Sequence, residues 1–271
     1  MCGIIGFTGS LPAKDILIDG LARLEYRGYD SAGIALLNDD DTLTIRKKAG
    51  RVDELRAMCS DREYTSTCGI GHTRWATHGG VTDINAHPHK CGKVAIIHNG
   101  IIENYYDIIR EYGLADMLVS ETDTEVVAAL LDKLYDGDPV KTIKKAVNII
   151  SGSFALCIMF ADHPGKIYAV RNVSPMVAAS SEKGSIIASD LTAIISFSKE
   201  YFVVPEYHIL TMTEEGIKVE DMKGNVVKPQ MLEITWDIEA AQKGGFPHYM
   251  LKEIYEQPDS LRNTITPRVV D

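Results

Sequence analysis

Short apolar runs alternate with helical periodicities along the chain. Gly3–Phe7 reads as a strand that begins almost at the first residue. From Ala13, apolar residues recur at Ile16, Leu17, Leu21 and Leu24, the spacing of one helix face. Strands are expected at Ala32–Leu37 and Leu43–Arg46, around the acidic turn Asp39-Asp40-Asp41. Two more, Cys68–Thr73 and Val94–His98, are separated by a polar loop rich in Gly and His. Three helices follow, carrying Ile102/Tyr105/Ile108/Ile109/Tyr112, Val126/Val127/Leu130/Leu131/Leu134 and Val140/Ile143/Val147/Ile150. Asp138 is placed to cap the third, with Pro139 at its first position. The pattern then returns to strands: Phe154–Phe160, Ile167–Arg171, Met176–Ala179, Ser185–Ala188, His208–Thr213 and Ile217–Glu220.

Several of these strands are apolar without alternation, which implies burial on both faces. Strands on either side of a helix cluster predict a layered α/β sandwich, with sheets covered by helices or by another sheet. After Pro229 the strand signals fade, so residues 1–229 are expected to form the domain and 230–271 an extension and linker. In that extension a helix is predicted over His248–Gln257 and a second one opening at Pro258.

Composition narrows the function classes. The chain has 271 residues, a net charge of −10, 45% hydrophobic and 24% charged residues. That is an ordinary globular mix, and the acidic balance disfavours nucleic acid as a partner. The longest apolar run, Phe154–Ala161, falls well short of the roughly 18 residues a membrane helix needs. No basic region precedes the apolar start, so no secretory signal and no membrane association are expected. Five cysteines without a CxxC pair read as reduced thiols, consistent with a cytoplasmic location.

Cys2 carries the most chemistry. A thiol attacks as its thiolate and needs a base. A small residue at position 2 generally permits removal of the initiator Met. Cys2 would then bear a free α-amine, whose ordinary pKa of about 7.7–8.0 makes it a base on the nucleophile's own residue. Taken alone, Cys2 reads more readily as a small buried thiol. Asn99-Gly100 after a buried strand could supply an amide and a backbone N–H to an oxyanion, or could be a strand-ending turn. Thr122-Asp123-Thr124-Glu125 has the form of a capping box. His87-Pro88-His89-Lys90-Cys91 matches no zinc spacing, and no phosphate-binding glycine loop is present. Neither a metal nor a cofactor is expected.

The segments MCGIIGF, LEYRGYDSAGIAL (24–36), GHTRWATHG (71–79), NAHPH (85–89), HNGIIENY (98–105) and SETDTE (120–125) occur together and in order. This set closely resembles the glutaminase domain of the glutamine–fructose-6-phosphate aminotransferases, which are glucosamine-6-phosphate synthases. That domain is a class II glutamine amidotransferase with the four-layer αββα sandwich of the N-terminal-nucleophile hydrolases. The likeness extends to HYMLKEIYEQP (248–258), which in the family leads to a sugar isomerase domain. It implies hydrolysis of L-glutamine through a γ-glutamyl thioester on Cys2, with Asn99 and Gly100 as the oxyanion hole. Arg74 would hold the substrate α-carboxylate, since a guanidinium can bond both oxygens, and Asp123 its ammonium. Trp75, Thr77 and His78 match positions lining the glutamine site, and His87 lines or supports it.

The loop from about Arg74 to Val81 is expected to close over substrate, with the Trp75 side chain gating ammonia passage and Gly79-Gly80 supplying freedom. Arg27 is expected beside the nucleophile; Asp30 and Ser31 receive structural roles. The full-length enzymes of the family imply a homodimer. Two alternatives stay open: another class II amidotransferase, such as an amidophosphoribosyltransferase, or a relic that binds glutamine without turning it over.

Overall fold

A computed structural model describes residues 2–77, 79–235 and 245–266. The chain divides into two compact units, Met1–Glu233 and Ile234–Asp271.

The first unit stacks two sheets between two helical layers. One sheet takes the order β14-β11-β9-β10-β1-β4-β2-β3. Its strands are β1 (Gly3–Gly9), β2 (Ser31–Leu37), β3 (Leu43–Ala49), β4 (Cys68–Arg74), β9 (Val177–Ser181), β10 (Gly184–Ala188), β11 (Glu200–Val203) and β14 (Leu232–Glu233). The other sheet runs β13-β12-β8-β7-β6-β5. It contains β5 (His89–Cys91), β6 (Val94–Ile102), β7 (Gly152–Phe160), β8 (Ile167–Asn172), β12 (His208–Thr213) and β13 (Gly216–Asp221).

Alternation along each strand sends side chains to two different cores, as the pleat requires. In β1, Ile4 enters the core between the sheets, while Ile5 and Phe7 face the helices α1 (Ala13–Leu24), α2 (Val52–Met58) and α6 (Leu191–Ile194). In β6, Ala95 and Ile97 face the first sheet. Val94 and Ile96 face α3 (Tyr105–Tyr112), α4 (Asp123–Leu134) and α5 (Pro139–Val147). Both faces are therefore apolar although the central strands pair antiparallel. Four stacked layers, not parallel strand pairing, explain the unbroken apolar runs. This is the layered sandwich expected from the sequence.

The expected cap of α5 is present, with Asp138 accepting a hydrogen bond from the Lys141 N–H at 3.1 Å and Pro139 opening the helix. Other expectations are corrected. Asn99-Gly100 does not end its strand; β6 continues to Ile102. In the second unit a single helix, α7 (Tyr249–Ile265), runs through Pro258 where two helices were expected. A proline inside a helix removes one hydrogen bond and costs about 3 kcal/mol. The seventeen-residue helix tolerates that loss. Among the described residues no helix is long and apolar enough to cross a membrane.

Candidate active site

Strand register brings the candidate residues to one place. Cys2 immediately precedes β1, and β1 pairs with β4 so that Gly3 lies opposite Thr73. Arg74 and Trp75 therefore emerge beside Cys2. In the facing sheet, β6 presents Asn99 and Gly100, paired with Ala155 and Phe154 of β7. One pocket is lined by Cys2, Arg74, Trp75, Thr77, Gly100 and Asp123, among others. A second pocket shares Cys2, Trp75, Thr77 and Gly100, and adds Arg27 and Asn99.

The Cys2 sulfur accepts a hydrogen bond from the Trp75 N–H at 3.2 Å, and the thiol lies 3.6 Å from the Trp75 carbonyl. Burial pushes the thiol pKa up, while the Trp75 N–H and the charges of Arg74 and Arg27 pull in the opposite direction without overcoming it. The thiol is thus not a preformed thiolate, and its attack requires a proton acceptor.

The Cys2 carbonyl is held twice, by Asn99 Nδ2 at 2.9 Å and by Arg27 Nε at 3.3 Å. Arg27 is fixed in turn by an ion pair with Asp190 at 3.1 Å, and Tyr26 donates to the same carboxylate at 2.9 Å. Gly100 has φ +136°, and a Cβ on it would sit 2.0 Å from the Ser153 carbonyl oxygen. Only glycine fits here, so this point of β6 is conformationally specified.

Asp123 is the first residue of α4 and is buried. One of its oxygens accepts the Ile102 N–H at 2.8 Å. Thr122 caps the helix by accepting the Glu125 N–H. The reciprocal half of the box departs from the simple form, because Glu125 reaches back to the N–H groups of Val119 and Ser120. A rigid helix start thus mounts Asp123 on the pocket wall.

Arg74 is only 4% exposed. Its guanidinium donates to the carbonyls of Gly80 at 3.1 Å and Gly79 at 3.4 Å. Asn85 and Glu121 brace the same loop: Asn85 Nδ2 donates to the Gly80 carbonyl and to Glu121, and Glu121 accepts the Gly80 N–H. Trp75 is 50% exposed, its ring tilted against Tyr29 with centroids 6.3 Å apart. Asp30 accepts the Ala76 N–H at 2.9 Å, and Ser31 pairs with Arg74 across β2 and β4. His78 lies outside the described residues.

Four histidines form a buried group at the pocket, which His72, His87 and His98 help to line. His87 stacks on His72 with centroids 4.1 Å apart and meets His89 edge-on at 4.8 Å. His87 Nδ1 accepts the His98 N–H at 3.4 Å. His98 Nδ1 pairs with Thr124 at 3.0 Å, and His89 Nε2 with Thr122 at 3.1 Å. Burial pushes His72 down to about 3, drives His87 and His89 well below the ordinary range, and lowers His98. In the unfolded chain these rings take protons below about pH 6.5, whereas the fold keeps His72, His87 and His89 neutral there. The unfolded state then binds more protons, so stability falls as pH drops from 6.5. Each ring contributes about 1.4 kcal/mol per pH unit. Urea unfolding between pH 6.5 and 5 is expected to show a loss of at least about 3 kcal/mol, as two or more rings acting together give. A flat profile would contradict the neutral burial of this group.

The residues the sequence did not assign are His72, His98 and Thr124 in the pocket lining, Asp190 behind Arg27, and the Asn85–Glu121 brace. His72 and His98 stand inside segments already singled out, GHTRWATHG and HNGIIENY. Asp190 carries only a helix-cap signal, fulfilled through Thr192.

The glutamine amidotransferase domain family matches over residues 78–196. The chain is 42% identical over 275 residues to glutamine–fructose-6-phosphate aminotransferase (isomerizing) of Clostridium acetobutylicum, covering 100% of this chain and 45% of that protein. It is 43% identical to the enzyme of the same name from Thermus thermophilus, covering 99% of this chain and 45% of that one. The chain thus spans less than half the length of these relatives. Among solved structures, the glutamine phosphoribosylpyrophosphate amidotransferase of B. subtilis shares the fold, with a TM-score of 0.71 at 23% identity. That match covers 83% of this chain and 50% of the other.

Proposed function

We propose that this chain hydrolyses L-glutamine to glutamate and ammonia through a γ-glutamyl thioester on Cys2, a reading supported by the match to the glutamine amidotransferase domain family over residues 78–196. The observation that carries this reading is the convergence of the Cys2 thiol, the Asn99 amide, Arg74 and Asp123 around adjoining pockets.

With Met1 removed, the α-amine of Cys2 takes the thiol proton as sulfur attacks the side-chain amide carbon. An amide nitrogen at that position would have no basic lone pair, so the mechanism requires the processed chain. Asn99 Nδ2 and the Gly100 N–H stabilise the tetrahedral oxyanion. The carbon–nitrogen bond then breaks, and ammonia leaves with the proton held by the amine. Water attacks the thioester, glutamate departs, and the thiol is restored. Arg74 and Asp123 hold the α-carboxylate and α-ammonium. Trp75, Thr77, His78 and His87 complete the glutamine site, and Arg27 fixes the nucleophile's backbone.

The acceptor half of the reaction belongs to the same proposal. Joined to a sugar isomerase domain, the released ammonia would convert fructose 6-phosphate into glucosamine 6-phosphate, in a cytoplasmic homodimer. Identities of 42–43% to the sugar aminotransferases, against 23% to the phosphoribosylpyrophosphate amidotransferase, favour this acceptor. The test is direct: the purified chain is expected to release glutamate and ammonia from L-glutamine in equal amounts. Saturable glutamine binding without release would leave only a binding relic.

A further inference from the structure

His72 lies in β4, in one sheet, yet its hydrogen bonds go to β6 in the other. Nε2 is 3.0 Å from the His98 carbonyl oxygen and 3.0 Å from Asn99 Oδ1. A backbone carbonyl only accepts, so Nε2 carries the ring proton. The atom of Asn99 facing that N–H must then be the amide oxygen, since an NH2 group there would oppose hydrogen to hydrogen. On the other side, Nδ2 donates to the Cys2 carbonyl at 2.9 Å. Each arm of the amide is thereby assigned by a fixed backbone acceptor. Nδ2 has two hydrogens, and the Cys2 carbonyl takes one. The second is the donor that an oxyanion formed on Cys2 can draw upon.

We propose that His72 is a positioning residue for glutamine hydrolysis: its Nε2–H clamps Asn99 Oδ1 and thereby keeps the N–H side of that amide turned to the nucleophile. The inference rests on the glutaminase reading above. An unclamped amide can rotate about its last torsion, which is broad and nearly two-fold. Rotated, it would set an oxygen against the developing negative charge. The neighbourhood holds the clamp in one state. His72 is 1% exposed and stacked on His87. Its Nδ1 has no hydrogen-bond partner among the described residues, consistent with a single proton on Nε2. Burial pushes the ring down to about 3, so the clamp stays neutral and its proton stays in place across neutral pH. The clamp also ties the two sheets together beside Cys2.

The experiment compares His72→Phe, His72→Gln, Asn99→Ala and His72→Phe/Asn99→Ala by kcat and KM for glutamine, and by the rate of Cys2 alkylation with iodoacetamide. Alkylation forms no oxyanion and so reports the thiol alone. Asn99→Ala is expected to lower kcat about 10²- to 10³-fold, the typical effect of removing one oxyanion donor. For His72→Phe a fall of about 10- to 100-fold is expected, with KM within about threefold and alkylation unchanged. In the Asn99→Ala background the same change should add less than about threefold, because the group it positions is gone. His72→Gln retains an N–H donor at similar reach and should restore kcat to within about fivefold of the parent.

Three outcomes overturn the inference. One is an unchanged kcat in His72→Phe while Asn99→Ala is impaired, which leaves the glutaminase reading standing. Another is additive losses in the double variant. The third is a folded His72→Gln as impaired as Asn99→Ala, a comparison that holds even where His72→Phe fails to fold. An unimpaired Asn99→Ala would instead remove the oxyanion assignment, and the inference with it.

Discussion

Replacing Cys2 by alanine is expected to abolish glutamine hydrolysis, lowering kcat by on the order of 10⁴-fold or more, while the protein stays folded. The size follows from the chemistry. Without the sulfur no thioester forms, and water must attack the amide unaided. The structural effect should be small because Cys2 precedes β1 and is only partly buried. Its carbonyl, not its side chain, receives the bonds from Asn99 and Arg27. The sulfur has one backbone donor, the Trp75 N–H, and Trp75 itself is half exposed. A stability change below about 1 kcal/mol is therefore expected. Ammonia and glutamate release, measured beside a thermal melt, checks both halves. Substantial residual glutaminase in a clean Cys2→Ala preparation would falsify the nucleophile assignment. A lost melting transition would show that position 2 bears on the fold more than its contacts indicate.

The long strands and helices were legible in the sequence because their periodicity is sustained. α1, α4, α5 and β7 fall where the apolar pattern puts them, whereas β6 runs past His98 to Ile102, a residue that the pattern assigned to the helix after it. The short elements α2, α6, β5, β11 and β14 give too few residues for any period to emerge. Which face of a strand meets which layer was not legible either. Ile4 and Ile5 are equally apolar in the sequence, but they enter different cores because the pleat turns them in opposite directions. Pro258 misled because a proline stops most helices, whereas α7 runs on through it.

Among the candidate site residues, the ordered motifs named Cys2, Arg74, Asn99, Gly100 and Asp123, and the fold brings them to adjoining pockets. What the motifs could not convey was support at long sequence separation. Asp190 lies 163 residues from the Arg27 it fixes. His72 was visible as a letter in GHTRWATHG, but its role depends on which nitrogen bears the proton. Only its partners across the sheet stack decide that.

Arg74→Ala is expected to raise the glutamine KM by about 10²-fold or more, with Arg74→Lys intermediate at over tenfold. Two charge-assisted hydrogen bonds to a carboxylate, each worth about 1.5–3 kcal/mol, set the scale. The guanidinium donates to the neutral carbonyls of Gly79 and Gly80. A carboxylate is the stronger acceptor and can displace them, so part of the binding energy is offset by the carbonyl bonds given up. Lysine keeps a charge but presents a single point, and so satisfies one oxygen at a time.

Because Arg74 also anchors the loop, a raised KM alone does not separate carboxylate binding from loop positioning. Assaying 4-aminobutanamide, which is glutamine without its α-carboxylate, does. If Arg74 holds the carboxylate, the parent should lose affinity for this analogue about as steeply as Arg74→Ala loses it for glutamine. The variant should then scarcely distinguish the two substrates. An Arg74→Ala variant whose KM rises equally for both would show that the guanidinium acts only through the Gly79 and Gly80 carbonyls. The Asn85–Glu121 brace would then become the feature that governs glutamine affinity.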